Sequence, residues 1–371
     1  MSSKLLSAKR IVIKVGSSLV AETGLGVRKA WLAAMAEDLA ALQAAGKEVI
    51  LVSSGAVALG RPTLGFGSGK LNLEEKQAAA AAGQPLLMQA WSQALAKHQA
   101  QAAQLLLTLE DSEDRQRYLN ARATFTTLLA HGLIPIVNEN DSVATAELKF
   151  GDNDRLAARV AAMLAADVLV LFSDVDGLYT KNPTQHADAL HIPVIRQLTP
   201  EVMAMGGGAA SAVSNGGMKT KLEAAQMATA SGCHMVIAKG IEKHALATLL
   251  GGGKASWFIA STKPQLARKH WIATTVKPRG SLVIDAGAAR ALRSGKSLLP
   301  AGVVAIEGRF ARGDIVRICS SEGAELARGI AGYDASEARK IMGKKSDAVA
   351  EILGPAARAT LIHRDDLALV N

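Results

Sequence analysis

The chain has 371 residues, of which 49% are hydrophobic, and it carries 42 Lys and Arg against 33 Asp and Glu, a formal net charge of +9. This length exceeds what one hydrophobic core usually serves, so it predicts two domains. The longest apolar runs, such as DVLVLFSD at 167–174, are shorter than the roughly 18 to 20 apolar residues of a membrane-spanning helix, which argues against a membrane protein.

The amino-terminal stretch MSSKLLSAKR leads directly into the strand-like IVIKV and lacks the apolar segment and cleavage site of a secretory signal. We therefore expect a cytoplasmic protein. The only cysteines, Cys233 and Cys319, have no C-x-x-C spacing and no histidine at metal-binding distance in the sequence. Both are expected to be inert, buried thiols.

The first ~250 residues alternate short β-branched segments with long Ala-rich segments, which is typical of a mainly parallel sheet covered by helices on both faces. Strands are predicted at 10–15, 48–53, 103–108, 133–138, 168–173 and 234–238. Amphipathic helices are predicted at about 30–45, 74–98, 118–130, 153–165 and 218–231. These elements predict an α/β fold, a three-layer αβα sandwich.

The pattern changes after this region. Residues 259–275 contain a proline, no acidic residue and no sustained strand or helix periodicity, so we predict a connector. Short strands and glycine turns follow, which indicate a small β-rich domain. The expected organisation is a catalytic domain at 1–258, a linker at 259–275 and a β-rich domain at 276–365.

Two glycine-containing loops follow predicted strands, KVGSSLV at 14–20 and VSSGAVALG at 52–60. Small residues there let backbone N–H groups approach a phosphate closely, although Gly and Ser also serve ordinary strand-to-helix turns. The sequence GFGSGKL at 65–71 fails as a P-loop because Leu71 replaces the required hydroxyl, and no G-x-G-x-x-G follows a strand. A phosphate site built from several loops remains open.

A third glycine cluster, GGGAASAVSNGGMKTKLEAA at 206–225, leads into the last predicted helix. It places Gly216, Gly217 and Lys221 at the helix start, where Lys219 or Lys221 would reach a polyphosphate from the side opposite Lys14. A single lysine near a helix start is usually solvated, so this pattern alone does not decide the role.

The stretch NENDSVATAELKFGDND at 138–154 collects Glu139, Asp141, Asp152 and Asp154 just before a predicted helix. Asp152 is the expected N-cap, because its side-chain oxygen can accept backbone N–H groups of the first turn. The acids would also serve as simple capping and compensation of the helix dipole. These residues alone leave both interpretations open.

Taken together, five segments in this order resemble the amino acid kinase family: KVGS at 14–17, SSGA at 53–56, NENDSVATAELKFGDND at 138–154, SDVDGLYT at 173–180 and GGMKTK at 216–221. The carboxy-terminal part, from SLVIDAG at 281–287 through FARGDIVRI at 310–318 to YDASEARKIMGKKS at 333–346, resembles a PUA domain. The resemblance covers nearly the whole chain. It implies the amino acid kinase fold followed by a PUA domain.

The resemblance also implies an activity, the transfer of the γ-phosphoryl group of ATP, with Mg²⁺, to the side-chain carboxylate of L-glutamate in the first step of proline biosynthesis. Lys14 corresponds to the phosphate-contacting lysine of the family, and Asp154 to the acid that holds Lys14 and Lys221. Ser54, Asp141 and Asn153 match the glutamate-binding positions.

The nucleotide-binding segments of the family match Lys14, Ser173, Asp174, Asn215, Gly216, Gly217, Met218, Lys219, Thr220 and Lys221. Asn215 stands where threonine is frequent. No side chain is assigned as a metal ligand. The resemblance further implies a homo-oligomer, dimer or tetramer, and feedback inhibition by proline, for which the loop at 141–151 with Glu147 is the candidate sensor.

The residues are consistent with this chemistry. A glutamate side chain has a pKa of about 4.3, so the nucleophile is ionised at neutral pH and needs no general base. The remaining problem is charge repulsion between carboxylate and phosphate, which lysines and Mg²⁺ would relieve. Asp141 would pair with the α-ammonium of the substrate, and Asn153 would donate an N–H to a substrate carboxylate.

Two alternatives stay open. In the first alternative, the acceptor is aspartate, N-acetylglutamate or carbamate instead of glutamate. An N-acetylated acceptor has no ammonium group that could pair with Asp141. In the second alternative, the chain is an RNA-binding PUA protein. Its 4% aromatic content and its diffuse basic charge disfavour this function.

Overall fold

The computed structural model describes residues 1–22, 26–143, 153–207, 217–274 and 278–370. The chain divides into two units, Met1–Pro264 and Gln265–Asn371. The finer boundaries expected from the sequence, 1–258, 259–275 and 276–365, remain a prediction.

The strands of the first unit are β1 (Arg10–Val15), β2 (Ala21–Glu22), β3 (Gly26–Val27), β4 (Glu48–Ser53), β5 (Gln101–Leu107), β6 (Leu133–Glu139), β7 (Val168–Ser173), β8 (Leu178–Tyr179), β9 (His191–Ile192), β10 (Val194–Ile195), β11 (His234–Lys239) and β12 (Ala255–Phe258). Its helices are α1 (Ser2–Ser7), α2 (Ser17–Val20), α3 (Lys29–Ala44), α4 (Ala56–Gly60), α5 (Leu73–Ala96), α6 (Leu109–Glu113), α7 (Arg115–Ala130), α8 (Asn153–Leu164), α9 (Pro200–Ala204), α10 (Met218–Ala230) and α11 (Ala245–Leu250). A 3₁₀ turn lies at Pro62–Leu64. The six predicted strands and five predicted helices are confirmed.

Eight strands form the main sheet, in the order β10-β12-β11-β7-β1-β4-β6-β5. Neighbouring strands are parallel except for β11 and β12. The strands β2 with β3 and β8 with β9 form separate two-stranded antiparallel ribbons. The mainly parallel sheet predicted from the sequence is confirmed.

Hydrophobic cores cover both faces of this sheet. Along β1, Ile11 and Ile13 pack into one core with α3 and α5, whereas Val12 packs into the other core with α8 and α10. Because both faces are buried, the central strands read as continuous apolar runs in the sequence. The unit is therefore the three-layer αβα sandwich that the sequence predicted.

Helices α4 and α5 cross with almost no space between their backbones. A Cβ atom on Gly60 would lie 1.9 Å from the carbonyl oxygen of Ala79, and one on Gly83 would lie 1.8 Å from that of Ala56. No heavy atoms approach so closely, so only glycine fits at either position. This crossing fixes α5 against the turn that follows β4.

The second unit contains a five-stranded sheet in the order β14-β13-β15-β16-β17. Its strands are β13 (Gly280–Ile284), β14 (Val303–Gly308), β15 (Ile315–Ser320), β16 (Glu325–Ile330) and β17 (Leu367–Leu369), and the helices in this part of the chain are α12 (Pro264–Thr274), α13 (Ala286–Arg293), α14 (Ala335–Ile341) and α15 (Ser346–Leu353). Short 3₁₀ turns lie at Pro300–Gly302 and Arg364–Asp366. A separate core fills this unit, and the predicted β-rich domain is confirmed.

The segment predicted as a connector, 259–275, is helical in part, because α12 occupies Pro264–Thr274; its assignment as a linker stays a prediction. Pro264 stands at the first helical position, where its fixed φ and missing N–H are tolerated. Ile272 is fully buried, and Arg268 Nη2 lies 2.7 Å from Asp366 Oδ1. Leu266 of this helix is 59% exposed, and the apolar positions of PQLARKHWIAT show no clear helical periodicity in the sequence.

The structure also bears on the expected absence of membrane-spanning helices and on the two cysteines. None of the helices in the described part of the chain has the length and apolar character needed to cross a membrane. Cys233 and Cys319 are both buried, and burial raises the pKa of each thiol. The predicted burial of both thiols is confirmed, and a raised pKa disfavours the reactive thiolate form.

Candidate active site

The candidate site lies where four adjacent parallel strands end. Lys14 is the fifth residue of β1, Ser54 follows β4, Asn138 lies near the end of β6, and Ser173 ends β7. These strands are neighbours in the order β7-β1-β4-β6. Ligands of open α/β sheets bind at the carboxyl ends of such strands.

Two lysines from distant parts of the chain share one aspartate at this edge. Lys14 Nζ lies 2.5 Å from Asp154 Oδ1, and Lys221 Nζ lies 3.0 Å from Asp154 Oδ2. Asp154 is 0% exposed and each lysine is 5% exposed. We call these three residues the buried triad. Its pairing was predicted from the sequence and is confirmed, whereas the catalytic roles of its members remain a prediction.

The two lysines determine the direction in which the pKa of Asp154 is shifted. Burial by itself would raise the pKa of the Asp154 carboxyl, but the ammonium groups of Lys14 and Lys221 outweigh this effect and hold that pKa below its ordinary value. Asp154 is therefore ionised at neutral pH. Two ammonium groups and one carboxylate leave the triad with a net charge of +1, which suits an anionic ligand.

The triad lysines open onto a cavity of about 370 Å³. The cavity is lined by Lys14, Gly16, Ser17, Ser18, Leu19, Ser54, Phe172, Ser173, Asp174, Val175, Gly217, Met218 and Lys221. The residues come from the ends of β1 and β7, the turn after β4 and the start of α10. All three glycine clusters singled out in the sequence thus contribute residues to one cavity, and phosphate binding by several loops becomes geometrically feasible.

A chain of side-chain hydrogen bonds lies beside the cavity. Asn153 Nδ2 donates to Ser54 Oγ over 2.5 Å and to Asn138 Oδ1 over 2.9 Å, and Asn138 Nδ2 donates to Gln84 Oε1 over 2.9 Å. The structure therefore brings together two of the predicted glutamate-binding residues, Ser54 and Asn153. Gln84 and Asn138 were not predicted as site residues.

The remaining predicted residues are distributed as follows. Ser173 Oγ donates to Asp174 Oδ1 over 2.8 Å at the cavity wall. Thr220 Oγ1 donates to the carbonyl oxygen of Gly217 over 2.8 Å and lies 3.3 Å from Asp154 Oδ2. Lys219 is exposed.

Several predictions concern other parts of the chain. Asp141 is half-buried, follows β6 and does not line the cavity in the described part of the chain. Asn215 and Gly216 lie outside the described residues, as do Asp152, predicted as an N-cap, and Glu147.

Comparisons with known proteins support a family assignment. The model of the amino acid kinase family matches residues 9–239, and the PUA domain model matches residues 280–353. The chain therefore belongs to the amino acid kinase family.

Within this family, the chain is similar over nearly its whole length to glutamate 5-kinases. The chain is 56% identical over 361 residues to glutamate 5-kinase 1 of Rhizobium meliloti (strain 1021), covering 97% of this chain and 92% of that protein. It is 54% identical over 368 residues to the glutamate 5-kinase of Paramagnetospirillum magneticum (strain AMB-1), covering 99% of each.

A solved structure agrees with the fold. Carbamate kinase from Giardia lamblia bound to AMP-PNP superposes with a TM-score of 0.50 at 19% identity, covering 70% of this chain and 100% of that one. This likeness concerns the arrangement of helices and strands only.

Proposed function

We propose that this chain transfers the γ-phosphoryl group of ATP to the side-chain carboxylate of L-glutamate, forming L-glutamyl 5-phosphate in the first step of proline biosynthesis. The near-full-length identity to glutamate 5-kinases supports this proposal. The observation that carries it is the buried triad, in which Lys14 and Lys221 are held by one carboxylate and line one cavity.

The buried triad supplies the positive charge that this reaction requires. Carboxylate and phosphate are both anionic, so the barrier is dominated by repulsion and positioning, not by proton removal. Ammonium groups fixed before the reaction need no reorganisation as charge moves between the reacting groups. Asp154 fixes both, because each of its oxygens binds a different lysine.

Substrate recognition is assigned to the polar residues beside the triad. Ser54 and Asn153 would bind the glutamate, and Asp141 would pair with its α-ammonium group. Ser173, Asp174 and the segment from Asn215 to Lys221 would bind ATP. Gly217, Met218 and Lys221 of that segment line the cavity together with Ser173 and Asp174.

The reaction implies Mg²⁺ bound with ATP. Within the described ranges, no group of three or more His, Cys, Asp or Glu side chains is placed to hold a metal ion. Asp174 is a hard oxygen donor at the cavity wall, and Mg²⁺ in kinases is commonly held by one or two carboxylates together with substrate phosphates. Asp174 therefore fits an ion that arrives with ATP. When bound, the ion would neutralise phosphate charge.

An acceptor screen tests this function. Purified chain is supplied with Mg²⁺, ATP and either glutamate, aspartate or N-acetylglutamate, while ADP release is followed and hydroxylamine traps the acyl phosphate. We expect glutamate to give the highest rate and Lys14→Met to abolish it. A higher rate with N-acetylglutamate than with glutamate would contradict the proposal.

The same proposal includes an assembly, a location and an inhibitor. We infer a cytoplasmic homo-oligomer, dimer or tetramer, inhibited by proline. It also includes the division into a catalytic domain at 1–258, a linker at 259–275 and a PUA domain at 276–365. Initial rates with increasing proline test the sensor assignment: unchanged inhibition in Glu147→Ala would contradict a role for the loop at 141–151.

A further inference from the structure

Four polar side chains form a continuous row from α5 to the cavity wall. Gln84 stands at the α5 end, Asn138 and Asn153 follow, and Ser54 lines the cavity. Asn138 is 3% exposed and Asn153 is 9% exposed, so water competes little for these groups. We call this row the carboxamide relay.

The two hydrogen bonds between carboxamides in the relay have the same polarity, toward α5. Asn153 donates to Asn138, and Asn138 donates to Gln84. Both N–H groups of the Asn153 carboxamide are consumed, because the second one donates to Ser54 Oγ. With this polarity Asn153 has only its carboxamide oxygen left for a ligand, and an oxygen repels a carboxylate.

The far end of the relay shows the cost of this polarity. Gln84 Nε2 is buried and donates no hydrogen bond within the described part of the chain. A buried N–H group without an acceptor is unfavourable, since it has lost its hydrogen bonds to water without replacement. The observed polarity therefore leaves a donor unsatisfied at the Gln84 end and leaves Asn153 without an available N–H group at the other.

Reversing the relay removes both problems. A 180° rotation of a carboxamide exchanges its oxygen and its nitrogen without moving the backbone. After all three rotate, Gln84 donates to Asn138, and Asn138 donates to Asn153. The Ser54 hydroxyl then donates to the Asn153 oxygen, and Asn153 Nδ2 is released to bind a carboxylate.

We propose that Gln84 is a specificity-determining positioning residue, whose carboxamide lets the relay reverse so that Asn153 donates to a carboxylate of bound glutamate. This inference rests on the proposed glutamate kinase function. It explains why a carboxamide stands at position 84, since only a group with both an acceptor and a donor supports both polarities. A carboxylate at this position would accept from Asn138 and hold the relay in its observed polarity.

Three substitutions on α5 test the inference. Gln84→Glu keeps the acceptor and removes the donor, Gln84→Met removes both, and Gln89→Glu makes the same charge change at an exposed position of the same helix. The Michaelis constants for glutamate and for ATP and the kcat are measured for each variant, and thermal unfolding confirms that each is folded.

We expect Gln84→Glu to raise the KM for glutamate by about tenfold or more, as expected for losing one hydrogen bond to a charged group, with the KM for ATP nearly unchanged. Gln84→Met should raise it less, because no carboxylate then fixes the polarity. Gln89→Glu should match the wild type. The KM of Gln84→Glu relative to the wild type should fall as the pH is lowered, because a protonated carboxyl at position 84 can donate to Asn138.

The outcomes separate the two proposals. A wild-type chain without glutamate-dependent ADP release would overturn the glutamate kinase function and this inference with it. An active wild type with a normal KM in Gln84→Glu, or with Gln84→Met impaired more than Gln84→Glu, would overturn the inference alone. If Gln84→Glu does not fold, Asn138→Asp applies the same test, since a carboxylate at position 138 also forces Asn153 to donate inward and should raise the same KM.

Discussion

Two lysine–aspartate clusters of similar chemistry lie in the first unit of the chain, in opposite surroundings. In the buried triad, Asp154 is 0% exposed between Lys14 and Lys221. In the second cluster, Lys254 Nζ lies 3.1 Å from Asp176 Oδ2, but the two side chains are 52% and 31% exposed. Similar contact distances therefore occur with very different access to water.

The pKa values show what the two clusters share. In Asp176, as in Asp154, burial would raise the pKa of the carboxyl, and hydrogen bonds from Tyr179 and Lys254 outweigh it and lower that pKa. Both carboxyls are thus ionised at neutral pH. Their energetic weight differs, because water and salt screen an exposed pair, whereas removing one member of a buried group leaves charges without compensation. The comparison indicates that burial, more than distance, distinguishes the buried triad from a surface ion pair.

The largest effect is expected from Asp154→Asn. It leaves two buried ammonium groups without their shared carboxylate, so the free energy of unfolding should fall by about 3–5 kcal/mol. Because the pKa of Asp154 is lowered in the folded chain, its stabilising contribution is present above the unfolded pKa and is lost as the pH falls through the folded pKa. Urea unfolding of the wild type and of Asp154→Asn at neutral pH measures the difference in free energy of unfolding. A loss below about 1 kcal/mol would contradict the expected contribution of the triad to stability.

The next effect concerns catalysis. Lys221→Met leaves Asp154 paired with Lys14 but removes one ammonium from the cavity, so kcat should fall by roughly 10²–10³-fold, as for other preorganised charge-stabilising groups. Lys254→Met makes the same change in the exposed cluster and serves as the control, with kcat expected near the wild-type value. Equal losses in both variants would show that the two clusters do not differ as argued.

A smaller effect is expected from Asp176→Asn. Its ion pair with Lys254 is partly solvated, so the unfolding midpoint should shift far less than in Asp154→Asn. Raising the salt concentration to 1 M should remove most of that shift, because the Debye length then falls to about 3 Å. A large shift that persists in high salt would place this pair in the same class as the triad.

The smallest effect is a pH dependence at an intermediate site. His244 Nδ1 lies 3.0 Å from Asp38 Oδ1, and the hydrogen bond that the imidazole donates to this buried carboxylate raises the pKa of the half-exposed histidine. A raised folded pKa stabilises the chain fully below the unfolded pKa of about 6.5, and this contribution is lost as the pH rises through the folded pKa.

The variant Asp38→Asn tests this dependence. The stability difference between the wild type and Asp38→Asn should therefore be larger at pH 6 than at pH 8.5. Urea unfolding at both pH values measures it, and a pH-independent difference would refute the linkage.

Much of this architecture could be predicted from the sequence, for identifiable reasons. The central strands are buried on both faces, so continuous apolar runs such as VLVLFS marked them directly. The triad was harder, because Lys14, Asp154 and Lys221 are far apart in the chain and each has an ordinary structural explanation alone. Only the combination of family-like segments placed them together.

Other features left no local signal. Gln84 is one polar residue in an Ala-rich helix, and its hydrogen-bond partner Asn138 is 54 positions away. Gly60 looked like a turn residue, although its conformation is helical and its role is to touch α5. Helix α12 was missed because its stability depends on partners such as Asp366 that only the fold brings near. Contacts of this kind depend on tertiary structure and are invisible to periodicity.

The glycine crossing between α4 and α5 has a practical consequence for engineering chimaeras. Residues 53–60 carry the Ser54 turn, and residues 79–84 carry Gln84, so the two ends of the relay lie on the two segments that meet at that crossing. Suppose that only one of these segments is transplanted and that a residue other than glycine then stands at position 60 or 83. Its side chain would push α4 and α5 apart and displace the turn that carries Ser54. The two segments behave as one exchangeable cassette and should be transplanted together.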